Sequence, residues 1–309
     1  MSTHNDADDQ DDVKPCTLKA LPDRLKLEGI RTALAVNPLN GFLPTPPPNG
    51  HRPTPPMRLT AAVAKKWDDK PRILTVSFPA GTARELQDRI VSHMNAWTKT
   101  CCIGFQRVDK GGKVRVSFGP GGYWSYLGTD ILLIPADEQT MNLEGFSMQT
   151  PESEFVRVVR HEAGHTLGFE HEHMRQELVD RIDRQSAYAY FLQTQGWDQE
   201  TVDDQVLTPL AARSIIGTKP DETSIMCYQL PGKIMKNKKG IPGGKDINAT
   251  DYAFAGRLYP KPKKQPAAEM AMAAHGDGVH AEGWPEAKDI RFSADLLAEF
   301  NHATLVGTH

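Results

Sequence analysis

Three histidines, a glutamate beside the first of them and a glycine before the last stand at fixed offsets in the run His161-Glu162-Ala163-Gly164-His165-Thr166-Leu167-Gly168-Phe169-Glu170-His171. Residues four apart on a helix lie one turn from each other on the same face, so His161 and His165 can present their rings to one ion. Gly168 can take the left-handed conformation that ends a helix without steric cost. The chain can then turn sharply and bring His171 back as a third ligand. Three neutral nitrogens with an open position describe a catalytic zinc site, whereas a structural site is closed by protein ligands on all sides. Glu162 sits beside the first ligand, where a carboxylate can take the proton of a metal-bound water. The spacing predicts one Zn2+ held by His161, His165 and His171, with Glu162 as the general base that later hands the proton to a leaving amine. Two His and one Glu alone could coincide as helix-surface or core residues; the added glycine and third histidine argue against coincidence.

These residues need a helix and a sheet to hold them. Arg72 to Phe78 is a β-branched run ended by Pro79 and predicts a strand. From Thr82 to Trp97 the apolar Ala83, Leu86, Ile90, Met94 and Trp97 recur at helical spacing among charged residues, which predicts an amphipathic helix lying on a sheet. Lys113 to Phe118 alternates as a strand, and Ile131 to Ile134 reads as a short buried strand closed by Pro135. The helix carrying the histidines is expected to begin near Pro151 to Ser153, where Glu152 and Glu154 favour its positive end. The pattern is an α+β fold: a twisted mixed sheet over two long helices, then a mostly irregular C-terminal half with one final helix.

Composition bounds the rest. The chain of 309 residues has a net charge of −3, which gives no electrostatic argument for nucleic acid. The basic run Lys233 to Lys239 lies among glycine and proline and reads as a solvated loop. Four cysteines do not make a disulfide scaffold, and free thiols are expected. Residues 1–56 are acidic and then proline-rich, with seven prolines between Pro44 and Pro56; they read as an extended, poorly packed tail or pro-segment with room for a short helix within Leu18 to Val36. Residues 57–260 are expected to form the catalytic domain and 261–309 a poorly ordered C-terminal tail. The acidic start has no basic region followed by an apolar run, and no stretch reaches the roughly 20 apolar residues that span a membrane. The expectation is a cytoplasmic protein, or one exported by a non-classical route. It should act as a monomer.

The extended motif resembles that of the metzincin clan of zinc peptidases. Gly168-Phe169-Glu170-His171-Glu172-His173-Met174-Arg175 is similar to the G-F-x-H-E-x-x-R of the astacin family within it. Ser224-Ile225-Met226-Cys227-Tyr228 resembles that family's Met-turn, S-[IM]-M-H-Y. Gly122-Tyr123-Trp124-Ser125-Tyr126-Leu127-Gly128 is similar to its G-C-x-S-x-V-G strand, and Asn248-Ala249-Thr250-Asp251-Tyr252 through Leu258-Tyr259 to its last helix. The departures are Cys227 at the usual His of the Met-turn, Tyr123 at the usual Cys of the strand with Phe146 near the expected partner, no Cys after Tyr259, and a longer stretch from Arg175 to Asp183. Tyr123 and Phe146 suggest packing in place of a bridge.

The resemblance implies a metzincin-type fold, with a twisted, mostly parallel sheet over two long helices and an irregular C-terminal subdomain below the zinc cleft. It implies a zinc metalloendopeptidase acting on a peptide or protein substrate. Met226 would be an apolar floor under the metal. Tyr228 would bind zinc as a fifth ligand at rest and swing to hydrogen-bond the tetrahedral oxyanion. Glu172 would anchor an N-terminus buried after processing. The substrate would pair with an edge strand, for which Gly122, Tyr123, Trp124, Ser125 and Tyr126 are the candidates. Cys16 is a candidate latency ligand, a thiolate plug on the zinc supplied from upstream of the catalytic domain. The alternative is a catalytically silent zinc-binding interaction module or effector, against which the retained Glu162 argues. A hydrolase of non-peptide amides and a cysteine hydrolase pairing Cys101 or Cys102 with His93 are weaker readings.

Overall fold

The computed structural model describes residues 16–41, 64–210 and 219–262. The acidic start, the proline cluster and all but the first two residues of the C-terminal tail lie outside the described residues. One six-stranded sheet runs in the order β1 (Cys16–Lys19), β5 (Tyr123–Tyr126), β6 (Met141–Leu143), β4 (Val114–Ser117), β2 (Arg72–Ser77), β3 (Ile103–Arg107). All pairs are parallel except β5 with β6. Beneath the sheet lie two helices. The first is α2 (Arg84–Met94), extended by a 3-10 turn over Asn95–Lys99. The second is built from α3 (Glu152–Glu154), a π turn over Phe155–Val159 and α4 (Arg160–Thr166). This is the α+β, mostly parallel architecture expected from the sequence.

The helix within Leu18 to Val36 exists as α1 (Asp23–Val36). Residues 16–41 are not, however, a poorly packed arm. β1 adds to the sheet by pairing with β5, and α1 packs its buried Ile30 and Ala33 towards the turn that follows β5. The amides of Asn37 and Asn40 then bind main chain of the catalytic part. Asn37 Nδ2 donates to Trp67 O at 2.8 Å, Asn40 Nδ2 to Lys66 O at 2.8 Å, and Lys66 N donates to Asn40 Oδ1 at 3.1 Å. The segment is ordered because an open sheet edge, together with Lys66 N and the carbonyls of Lys66 and Trp67, offers it partners.

Two local expectations fail. Ile131–Ile134 is not a strand: Gly128 through Leu133 form a 3-10 turn. Gly128 has φ +47° and packs so closely on the main chain of Lys65 that the chain must leave the sheet there. The burial of Ile131 comes from packing beneath α1. The C-terminal half also holds more helix than expected. Between the histidine motif and the Met-turn lie α5 (Gln176–Val179), α6 (Arg184–Gln195), α7 (Gln199–Val202) and a π turn over Asp203–Leu207. The apolar residues of α6 are scattered around its circumference, so no stripe announces it. Its Ala187 and Phe191 are buried instead in a second core with Val202, Val206 and Leu207.

Tyr123 and Phe146, the aromatics at the two cysteine positions, meet edge to face with centroids 5.7 Å apart, and Phe146 meets Phe155 of the π turn at 5.1 Å. All four cysteines are free. No helix among the described residues is long and apolar enough to cross a membrane.

A Cβ at position 128 would stand 1.8 Å from the carbonyl oxygen of Lys65. Gly128→Ala is therefore expected to cost about 3 kcal/mol or more, because backbone on both sides must shift. Urea unfolding would measure it, and wild-type stability would refute the close packing.

Candidate active site

The histidine-bearing helix is fixed by aromatic donors aimed at its carbonyls. Trp97 Nε1 donates to Arg160 O at 2.8 Å, Trp67 Nε1 to Thr166 O at 2.9 Å and the Tyr259 hydroxyl to Leu167 O at 2.6 Å. The last two satisfy carbonyls that the end of a helix leaves without partners. At the end of α4, Gly168 with φ +90° reverses the chain, and His165 Nδ1 faces the carbonyl of Phe169 at 2.7 Å.

His161, His165 and His171 converge as the spacing predicted. The Nε2 atoms of His165 and His171 are 2.9 Å apart, and those of His161 and His171 3.3 Å. Cys16 Sγ joins them, 3.4 Å from His165 Nε2 and 3.5 Å from His171 Nε2, and all four ligand atoms lie within 4.8 Å of one another. His161 Nδ1 faces the carbonyl of Ile225 at 2.6 Å. A carbonyl only accepts, so the Nδ1 atoms of His161 and His165 carry the protons and their Nε2 lone pairs point bare into the cluster. Burial pushes His161 down to about 4, and burial together with neighbouring imidazoles pushes His165 and His171 well below the ordinary histidine range. Neutral rings with converging lone pairs fit a cation, and the donor set of three nitrogens and a sulfur is one that zinc prefers.

The Met-turn acts as the template for this geometry. Ile225 O holds His161, and Met226 O accepts from Glu172 N at 2.8 Å, fixing the chain just after His171. Met226 reaches the helix through Gly164, where a Cβ would stand 2.5 Å from the thioether sulfur. The turn is itself held by Asp251. Its carboxylate accepts from the Ser224 hydroxyl at 2.6 Å, from Ile225 N at 3.0 Å and from Asn248 N at 3.0 Å. The sequence showed Asp251 only as part of the last helix, α8 (Ala249–Leu258), where it also closes a capping box with Asn248.

The model of the astacin peptidase family matches residues 60–238. This chain belongs to the astacin family. A structure of myroilysin is similar to this astacin at 30% identity, covering 64% of this chain and 97% of that one with a TM-score of 0.60. A second myroilysin crystal structure aligns at 26% identity and TM-score 0.49, covering 79% and 99%. High choriolytic enzyme 1, a hatching enzyme zinc-protease from Oryzias latipes (Medaka fish), aligns at 18% identity and TM-score 0.43, covering 60% and 88%. No curated protein matches. The family and the cluster together make this astacin a zinc metallopeptidase with one zinc ion as its cofactor.

The other candidate residues fall around the cluster. Glu162 is fully buried beside it. The Tyr228 ring stacks on His173 at 4.0 Å, and its hydroxyl donates to the carbonyl of Cys16. Glu172 turns away from the ligands into a cavity shared with Lys66, Asp221 and Asp251, and burial pushes its carboxyl up to about 7. Tyr123 to Tyr126 form β5, and β1 covers that edge. His93 faces Glu152 at 3.3 Å, while Cys101 Sγ and Cys102 Sγ donate to Ile103 O and Asp69 O, so no cysteine–histidine pair is assembled. Sequence reading missed the template roles of Gly164 and Asp251; the serine of the Met-turn, which needs a partner when buried, was the available signal for the second.

Asp251→Ala would leave Ile225 N without its acceptor and free the carbonyl that orients His161. Expected outcomes are a stability loss of about 2–4 kcal/mol, from buried groups left unpaired, and zinc affinity weaker by about 10- to 100-fold, the usual cost of losing a ligand's supporting bond. Denaturant titration and competition with a chelator would measure the two.

Proposed function

We propose that this astacin is an endopeptidase with Glu162 as its general base, held latent by residues 16–41 through Cys16. The observation that carries the reading is the Cys16 sulfur lying among the three Nε2 atoms, in the position an open coordination site would offer to water. Zinc, when bound, supplies Lewis acidity: it acidifies a water and polarises a carbonyl.

The protein's own groups supply the rest. Burial pushes the carboxyl of Glu162 up to about 8, against the pull of the Cys16 thiol and the Arg157 guanidinium. A carboxylate with so raised a proton affinity takes a proton from an acidified water and can return it to a leaving amine. Tyr228 already donates to a main-chain carbonyl in the cleft, that of Cys16, which supports a role in donating to the oxyanion of a peptide at the same place. β5 would pair with the substrate main chain once β1 has left, as strand addition requires. Removal of β1 would need the chain cut between residues 41 and 64, upstream of a catalytic domain ending near residue 260, followed by release of the arm's own contacts. The new N-terminal segment would then settle in the cavity at Glu172, which Lys66 already lines.

The zinc-loaded full-length chain is expected to be silent on casein and quenched peptides and to become active on limited proteolysis. Glu162→Gln, with the same zinc content, should lose about 10²- to 10⁴-fold in rate, the range for a general base. Stoichiometric zinc with no cleavage by the processed wild type would sink the reading.

Latency has its own test. Cys16→Ala should shorten the lag before activity appears under the same proteolysis, because one of the arm's attachments is gone. An unchanged lag would remove Cys16 from the mechanism.

A further inference from the structure

β1 is held on both of its edges. On one side it pairs with β5, Cys16 opposite Tyr123 and Leu18 opposite Ser125. Successive residues of an extended chain point their main-chain groups to opposite sides. The groups of Cys16 and Leu18 that turn away from β5 meet the far wall of the cleft. Tyr228 donates to Cys16 O. Two residues on, Gln205 takes both groups of Leu18: Leu18 N donates to Gln205 Oε1 at 2.9 Å, and Gln205 Nε2 donates to Leu18 O at 3.4 Å. One side-chain amide thus offers the donor and the acceptor that a neighbouring strand would offer.

Gln205 is tied to the metal site. It lies in the π turn Asp203–Leu207, anchored by the buried Val206 and Leu207. Its carbonyl faces His173 Nε2 at 3.0 Å, and the His173 ring stacks on Tyr228 and lies 5.0 Å from that of His171. The distance from the metal ligands to the amide is therefore set by packed, buried rings.

We propose that Gln205 is a substrate-binding residue, which grips the main chain of a bound peptide two residues from the metal on the arm that lies along Ser125–Tyr126. The inference rests on the peptidase reading and names how that cleft holds its substrate. A half-turn of the terminal torsion exchanges donor and acceptor, so the amide matches an extended chain running in either direction. The pro-strand and a substrate of opposite polarity can use it equally. Because it reads main chain, it selects for an extended peptide of sufficient length and is indifferent to the side chain there. Its position in the segment between the histidine motif and the Met-turn explains why no part of the resemblance pointed to it.

The test uses the zinc-loaded full-length protein activated by limited proteolysis, with quenched peptides lengthened one residue at a time on each side of the scissile bond. In wild type, extension past the clamp position on one arm should raise kcat/KM. In Gln205→Ala that gain should fall by about tenfold, the worth of two neutral hydrogen bonds, and appear mainly in KM. A peptide with an ester in place of the amide N–H at the clamp position adds a readout that a folding defect would not move. It should be poorer than its amide parent for wild type and equal to it for Gln205→Ala. Equal losses on short and long peptides, or an ester effect that survives in the variant, would overturn the clamp. If no peptide is cut by wild type, the peptidase reading fails separately. The same ester and amide pair, measured by fluorescence anisotropy on the activated Glu162→Gln protein with and without Gln205→Ala, then decides the clamp by Kd alone.

Discussion

The structure depends on keeping three imidazoles neutral, buried and aimed at one point. A ring whose proton sits on Nδ1 keeps its Nε2 lone pair for the cluster, and a carbonyl facing Nδ1 holds the proton there. The carbonyls of Ile225 and Phe169 do this for His161 and His165. Neither carbonyl could be in place without the elements behind it. Phe169 O is where it is because Gly168 ends the helix, and Ile225 O because Asp251 holds the Met-turn. Trp67, Trp97 and Tyr259 position the helix itself by bonding its carbonyls.

The helix and its ligands were legible because their signals are local. The i, i+4 pair, the glycine stop and the returning histidine all fall between His161 and His171, and their geometry follows from helix periodicity alone. β2 and α2 were legible for the same reason. What was not legible depends on partners far along the chain. Ile131 to Ile134 has a strand's composition, but Gly128 presses against Lys65 and bends the chain away first. α6 shows no apolar stripe because Ala187 and Phe191, the two residues it buries in the second core, stand among other apolar residues such as Leu192 that stay exposed. The roles of Asp251 and Gln205 arise from contacts with residues 26 and 187 positions away, which no spacing rule reaches.

The N-terminal segment closes one edge of the sheet. An open edge strand invites pairing, and left bare it is a hazard. Here β1 covers it in parallel register, while Tyr228 and Gln205 satisfy the other side of the same strand. Recognition is almost entirely by main chain, and the only side chain of β1 placed at the ligands is Cys16. The tyrosine and phenylalanine at the two cysteine positions stiffen this edge by packing Tyr123 onto Phe146 and that ring onto Phe155 beneath the sheet.

The paired asparagines of the arm have a consequence of their own. Asn37 and Asn40 bind the main chain at Lys66 and Trp67, while Cys16, on the far side of α1, sits at the histidines. A segment attached at two such distant points behaves as a bivalent ligand. When one end lets go, the other keeps it at high effective concentration, and it returns before it can diffuse away. Cutting the connection after residue 41 does not by itself loosen either grip. Escape requires both to be open at once, so the arm's lifetime on the severed protein reflects avidity and outlasts what either contact would give alone.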